Sequence, residues 1–297
     1  MGTQNRKKSW AFPLYALALG VFTAYVLLNT FLVSRVYVQA APAETAESTQ
    51  SAEAVVTETE YQDGNISIRL SAYRVEDSAV YVADIQLASP EYLKTALTDN
   101  AYGKNLTEKT SVMARSVGAI LAINGDYYGV QESGYVLRNG VLYRDTPVSG
   151  KEDLVIFADG SFRIIREDEI SAQSLLEAGA EQILSFGPAL VENGEVSVEK
   201  GQEVSRAKSG NPRTAIGIVG ENHYVFVVSD GRTSDSQGLS LYELAEFMQS
   251  LGVTTVYNLD GGGSSTLYFN GQVVNQPTTN GKKIQERSVS DIVCIGY

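Results

Sequence analysis

Three places along the chain end an apolar run in residues that could do chemistry. Gly118-Ala-Ile-Leu-Ala-Ile leads into Asn124-Gly125-Asp126-Tyr127-Tyr128, and Tyr224-Val-Phe-Val-Val-Ser229 leads into Asp230-Gly231-Arg232. Thr254-Thr-Val-Tyr leads into Asn258-Leu259-Asp260-Gly261-Gly262-Gly263-Ser264-Ser265. A fourth group, Asn211-Pro212-Arg213-Thr214, directly precedes the apolar run Ala215–Val219. Loops at strand ends are where a rigid scaffold can present polar groups to a cleft. Asn, Asp, Arg and a glycine-rich backbone suit sugar hydroxyls and phosphate oxygens. A plain turn needs one or two glycines, so three before two hydroxyls point to a backbone that approaches a ligand and offers N–H groups to an anion. No lysine follows those glycines, so the segment is not a nucleotide-binding P-loop.

What the chain lacks narrows the chemistry further. It has one histidine, His223, and one cysteine, Cys294. Together they cannot build a zinc finger, a CxxC redox pair or an intramolecular disulfide. His223 reads as a turn residue and Cys294 as a buried strand residue, which leaves Ser-His-Asp and Cys-His catalysis without a base. Any active site must therefore be made of Asp, Asn, Arg, Tyr and glycine backbone. Its metal, if there is one, would be a hard divalent cation such as Ca or Mg, held by Asp126, Asp260 and amide oxygens.

The elements that must carry these loops can be read from turn chemistry. Nine of 27 glycines follow Asn or Asp. Those at Asn139-Gly140, Asp159-Gly160, Asn193-Gly194 and Asn270-Gly271 lie between strand-like runs and predict hairpins. Further strands are expected at Ile66–Tyr73, Val80–Leu87, Gly118–Ile123, Ala215–Val219, Tyr224–Ser229, Thr254–Leu259 and Val289–Gly296. The clearest helix is Leu241–Leu251, with a capping box formed by Ser240 and Glu243 and a stop at Gly252; Thr110–Val117 and Ala172–Ala178 are weaker. Many hairpins with few helices predict an α+β domain built on a mixed or antiparallel sheet.

The remaining chain frames that domain. Residues 1–9 form a basic tail, and the uncharged run 10–33 after Arg6-Lys7-Lys8 predicts a transmembrane anchor. The basic cluster would hold the N-terminus in the cytoplasm and the rest outside the cell. Val38-Gln39-Ala40 has the form of a cleavage site, so secretion after removal of a signal peptide is the alternative. Residues 34–60 read as an acidic Ala/Glu/Thr/Ser linker and 61–297 as one domain. The net charge is −12, and the basic N-terminal stretch leaves residues 39–297 at −16. Such a surface repels polyphosphate backbones, which argues against nucleic acid as a partner.

The ordered series Asn124-Gly-Asp-Tyr-Tyr128, Phe186-Gly-Pro-Ala-Leu190, Pro212-Arg-Thr-Ala-Ile-Gly217, Asp230-Gly-Arg232, Gly238–Ala245, Asn258-Leu-Asp-Gly-Gly-Gly-Ser-Ser265 and Glu286-Arg287 resembles the phosphodiester glycosidase family. Many bacterial relatives are labelled exopolysaccharide-biosynthesis proteins. The resemblance implies hydrolysis of a sugar joined through its anomeric oxygen to a phosphodiester, with a cell-envelope glycan or sugar phosphate as substrate. A phosphomonoester leaves readily, so a site without histidine would suffice. The resemblance also suggests roles. Arg213, with Arg287 or Arg232, would bind phosphate, helped by the Gly261–Ser264 backbone. Asp260 or Asp126 would be the working carboxylate, and Asn124 and Asn258 would hold sugar hydroxyls, with Tyr127, Asp230 and Ser265 close by. Two rivals are a glycosidase or transferase acting on wall polymers without phosphate, and a non-catalytic glycan-binding wall protein.

Overall fold

In a computed structural model, the structure describes residues 11–40, 54–204 and 210–297. The basic tail and residues 41–53 of the acidic stretch lie outside the described residues. All four Asn/Asp-Gly hairpins form, with Asn139, Asn193 and Asn270 at positive φ, as primed turns require.

The strands make three larger antiparallel sheets. One has nine strands, with Thr255–Asn258, Arg213–Gly220, His223–Ser229, Ser78–Leu87 and Ile66–Val75 adjacent in that order. A second runs Gln272–Val273, Leu267–Phe269, Leu121–Asn124, Asp291–Ile295, Leu93–Leu97. The third is Val141–Thr146, Gly134–Arg138, Ala180–Leu184, Glu152–Phe157, Phe162–Arg166. Their inner faces share one core, in which Ile85 and Phe226 meet Ile123 and Val293 and also Leu154 and Leu184. The helix Leu241–Ser250 covers the outer face of the nine-stranded sheet, packing Leu241, Leu244 and Met248 on Val225 and Val227. Burial on both faces explains why residues 224–228 are uninterruptedly apolar rather than alternating. Both halves of the predicted capping box are made: Ser240 Oγ accepts from the Glu243 N–H at 3.1 Å, and Glu243 Oε2 accepts from the Ser240 N–H at 2.8 Å. His223 begins a strand rather than sitting in a turn, with its ring on Asp84. Cys294 is buried in its strand as expected.

The expected linker over 34–60 needs correction at both ends. Arg35–Gln39 is a strand paired antiparallel with Ala101–Lys104. Val55–Val56 and Glu60–Gln62 add two short strands to the edge of the nine-stranded sheet. Composition averaged over the stretch conceals Val36-Tyr-Val38 and Val55-Val56, β-formers that gain stability only when a partner edge accepts them. Before this, Ala11–Phe31 is one helix of 21 residues. Its side chains from Phe12 to Leu28 are exposed, and residues 12–31 have the length and mean hydropathy, 1.7, of a membrane span.

Two buried carboxyls make stability depend on pH. Burial and the nearby Asp126 push Asp291 up to about 7 in spite of Arg138, and burial beside Glu167 pushes Asp153 well above the ordinary range. A raised carboxyl keeps its proton longer in the folded chain than in the unfolded one, whose value is about 3.9. The stabilisation is therefore complete below that value and is lost as pH rises through about 7 for Asp291. The melting temperature is expected to be higher at pH 5.5 than at pH 8, and Asp153→Asn to narrow the gap. A pH series of thermal unfolding curves in detergent checks this, and a flat profile would contradict it.

Candidate active site

Three loops from the ends of neighbouring strands meet in a cleft of about 190 Å³. Asn211, Pro212 and Arg213 line it at the start of one strand, Arg232 follows the next, and Asn258 to Gly262 continue the third. Phe186 and Arg287 complete the wall.

Glycines let these loops touch. A Cβ on Gly261 would stand 2.8 Å from the Pro212 carbonyl oxygen, and one on Gly262 would stand 2.7 Å from the Arg232 guanidinium. Gly262 also has φ +63°, a conformation that other residues adopt at a cost. The glycine run is thus explained first by loops packing on one another. Two of the N–H groups in Gly261–Ser264 are correspondingly engaged: that of Gly262 donates to the Pro212 carbonyl at 2.8 Å, and that of Ser264 to the Gly261 carbonyl at 3.3 Å. This corrects the expectation that the Gly261–Ser264 backbone as a whole faces an anion.

Side-chain chemistry at the cleft centres on Asp260, 8% exposed. Its Oδ2 accepts from Ser264 Oγ at 2.6 Å and from Arg287 Nη2 at 2.7 Å. Ser264 Oγ in turn accepts from Arg287 Nε at 2.9 Å, so acid, hydroxyl and guanidinium form a closed triangle that fixes the carboxylate's plane. Arg232 sits at φ +64°, its Nη2 donating to Asn211 Oδ1 at 3.0 Å and its Nη1 to the Thr279 carbonyl at 2.6 Å. Arg213 donates from Nε to the Leu239 carbonyl at 2.8 Å and pairs with Glu203. Burial lowers the pKa of both arginines, and for Arg232 the charges of Arg287 and Arg213 add to the effect. Both values start far above neutrality, so the groups keep their charge, and a lowered pKa means that an anion is welcome. Asn258 Nδ2 donates to the Gly187 carbonyl at 2.8 Å, while its buried Oδ1 has no partner among the described residues. It is a spare acceptor in the cleft wall.

Other predicted site residues lie behind that wall or beyond it. Asn124 is a buried clamp: Nδ2 donates to the Asp260 carbonyl at 2.7 Å, and Oδ1 accepts from Thr214 Oγ1 and the Thr266 N–H. It aligns three chain segments and has no capacity left for a sugar hydroxyl. Asp126, expected as an alternative working carboxylate, does not reach the cleft. Its Oδ2 accepts from Arg138 Nη2 and the Ser185 N–H, both at 2.8 Å, and its Oδ1 accepts from the Tyr128 N–H at 2.9 Å. Asp230 is buried and accepts from Asn275 Nδ2 and the Gln276 N–H, and burial raises its pKa. Tyr127 is exposed, and neither it nor Gly263 or Ser265 lines the cleft. Asp126 and Asp260 are each committed to a guanidinium, Arg138 and Arg287, so the donor set considered for Ca or Mg does not fit a hard cation.

Sequence reasoning missed Glu203, the counter-charge of Arg213, and Arg138, the fully buried cation behind the cleft. Nothing in Gly201-Gln-Glu-Val204 marks the first. The second had a signal: an arginine that closes the apolar run Tyr135-Val-Leu137 directly before the Asn139-Gly140 turn.

Known proteins resemble this chain in sequence and in fold. The B. subtilis protein described as "SPbeta prophage-derived uncharacterized protein YomE" is 29% identical over 207 residues, covering 67% of this chain and 31% of that one. Mouse N-acetylglucosamine-1-phosphodiester alpha-N-acetylglucosaminidase is 29% identical over 208 residues, covering 63% of this chain and 39% of that one. The chain therefore spans well under half the length of these curated relatives. The zebrafish enzyme of the same name, solved as a catalytic domain auto-inhibited by its pro-peptide, has a similar fold. Its TM-score is 0.62 at 22% identity, over 78% of this chain and 83% of that one. A hypothetical protein from Synechocystis superimposes with TM-score 0.53 at 15% identity, over 78% and 62%. Residues 117–296 match the phosphodiester glycosidase family, a span that contains every residue of the cleft, and the chain belongs to that family.

Proposed function

We propose that this protein is a membrane-anchored hydrolase of the outer cell surface that cleaves the bond between a sugar's anomeric carbon and a phosphodiester. The observation that carries the reading is one carboxylate, Asp260, set among Arg213, Arg232 and Arg287 at the mouth of a cleft. The arginines hold the phosphate and stabilise the charge that collects on it as the glycosidic bond breaks. A departing phosphomonoester needs little help from a general acid, which suits a cleft without histidine. Asp260 Oδ1, which makes no hydrogen bond among the described residues, acts on water or on the anomeric centre, while Arg287 and Ser264 steady Oδ2. A small turn of the Asn258 side chain, which lines the cleft, would let its buried and unpaired Oδ1 receive a sugar hydroxyl. The names of the relatives make N-acetylglucosamine-1-phosphodiesters the first substrates to try, and a cell-envelope or exopolysaccharide glycan is the setting we favour.

The test is turnover by the full chain in detergent, read as free reducing sugar, on an N-acetylglucosamine-1-phosphodiester and on an aryl N-acetylglucosaminide without phosphate. Release from the first alone is expected. Arg232→Ala should raise KM for it by about 10- to 100-fold, the loss of a charge-assisted contact worth about 1.5–3 kcal/mol. Equal turnover of both compounds would favour the phosphate-independent rival, and turnover of neither would favour the glycan-binding one.

A further inference from the structure

The apolar helix is not joined to the domain by a loose tether, which gives the neighbouring surface a meaning. Asn105 Nδ2 donates to the Thr30 carbonyl at 3.1 Å, satisfying an acceptor that a helix C-terminus leaves open, and to the carbonyl of Val33, two residues past the helix, at 3.2 Å. Ser34 Oγ returns a bond to the Asn105 carbonyl at 2.9 Å. Immediately afterwards, Arg35–Gln39 pairs with Ala101–Lys104, and Tyr37 lies on Tyr102, which stacks on Tyr128 at 5.5 Å. The helix end is thus capped by a side chain of the folded domain and continued by a strand of it.

A 21-residue helix is about 31 Å long, close to the roughly 30 Å of a hydrocarbon core. Phe31 therefore falls at the far boundary of that core and Leu32–Val38 in the headgroup layer. The domain surface beside this exit carries uncovered apolar side chains, flanked by Arg35 and the Lys104–Glu132 ion pair. Val36 and Tyr37 are 55% and 54% exposed, and Tyr127 and Val130, on the loop whose Gly129 carbonyl accepts from the Asn105 N–H at 3.1 Å, are 45% and 39% exposed. Tyrosine beside aliphatic groups is the composition of a bilayer interface.

We infer that the face formed by Arg35–Gln39 and the Tyr127–Val130 loop rests on the outer leaflet of the membrane, so that the domain has a set orientation and its cleft a set height above the lipid. The five Cα–Cα steps from Asn124 to Gly129 span at most about 18 Å, and Asn124 grips the Asp260 carbonyl. The cleft floor is therefore close to the leaflet, and the substrates that suit it are sugar phosphodiesters held at the membrane surface. The inference rests on the anchored reading of the helix.

Four single cysteines in the full chain test it: Leu19→Cys in the helix, Val36→Cys and Val130→Cys on the face, and Ser250→Cys at the end of the helix on the nine-stranded sheet. The native Cys294 is buried, with its thiol pushed up to about 12 by burial, and stays unlabelled. Nitroxide labels on protein in phosphatidylcholine vesicles are probed with oxygen and a water-soluble nickel complex. Positions 36 and 130 are expected to collide with nickel several-fold less than position 250 and to favour oxygen, as position 19 does. A label at 130 as open to nickel as that at 250, with 19 in lipid, overturns the seating and leaves the anchor standing. A label at 19 open to nickel removes the anchor and the seating together.

Discussion

Asp260→Asn is expected to reduce kcat on a sugar-1-phosphodiester by about 10³-fold or more while leaving the melting temperature nearly unchanged. Among the described residues Asp260 is the only carboxylate that lines the cleft. An asparagine has the same shape and can still accept from Ser264 Oγ and Arg287 Nη2, so the closed triangle survives. What disappears is the negative charge that would take a proton from water or meet the developing positive charge at the anomeric carbon. The loss should fall on kcat, since in the proposed reading the arginines, not Asp260, bind the phosphate. Purified full-length protein with unaltered thermal unfolding and measurable KM would make the comparison clean. Turnover within tenfold of the parent would remove Asp260 from the mechanism.

The second large effect concerns folding. Arg138 lies between two carboxylates that see no solvent, with Nη2 2.8 Å from Asp126 Oδ2 and 2.7 Å from Asp291 Oδ2, and Nε 2.9 Å from the latter. Arg138→Met keeps much of the side-chain volume but leaves both acids buried without a cation. Removing one partner of a buried ion pair costs about 3–5 kcal/mol, a large part of a domain's usual stability. The variant is expected to melt far below the parent or to accumulate poorly. Adding Asp126→Asn and Asp291→Asn to it should recover much of the loss, because the cost lies in the uncompensated charges rather than in packing. Unfolding in detergent of parent, single and triple variants at pH 8, above the raised value of Asp291, measures both steps. A single variant within about 1 kcal/mol of the parent would show that the acids are neutral together and that the cation is dispensable.

These two expectations also mark where local pattern ended. The hairpins were legible because Asn-Gly and Asp-Gly set a backbone conformation within two residues, whatever surrounds them. The helix Leu241–Ser250 was legible because its cap and its apolar face repeat within one turn. The stretch before residue 61 was less so: Val36-Tyr-Val38 becomes a strand only because Ala101–Lys104 offers an edge some 65 residues later. At the site, the same limit separates two aspartates with almost the same local setting. Asn124-Gly-Asp126 and Asn258-Leu-Asp260 each end an apolar strand in an acid. One acid turns inward to a guanidinium from Arg138, and the other faces the cleft beside Arg287.

By itself, then, the sequence determined a hairpin-rich α+β architecture, the set of Asp, Asn, Arg and glycine available for chemistry, and the family through the order of its motifs. All of these depend on residue type and short-range spacing. Only the tertiary structure decided which of those residues share a cleft and which hold it up from behind. That choice rests on pairs such as Arg138 with Asp291, 153 residues apart, whose charges are reconciled only by being buried together. It rests equally on glycines whose missing side chains let Pro212 and Arg232 close over the loop that carries Asp260.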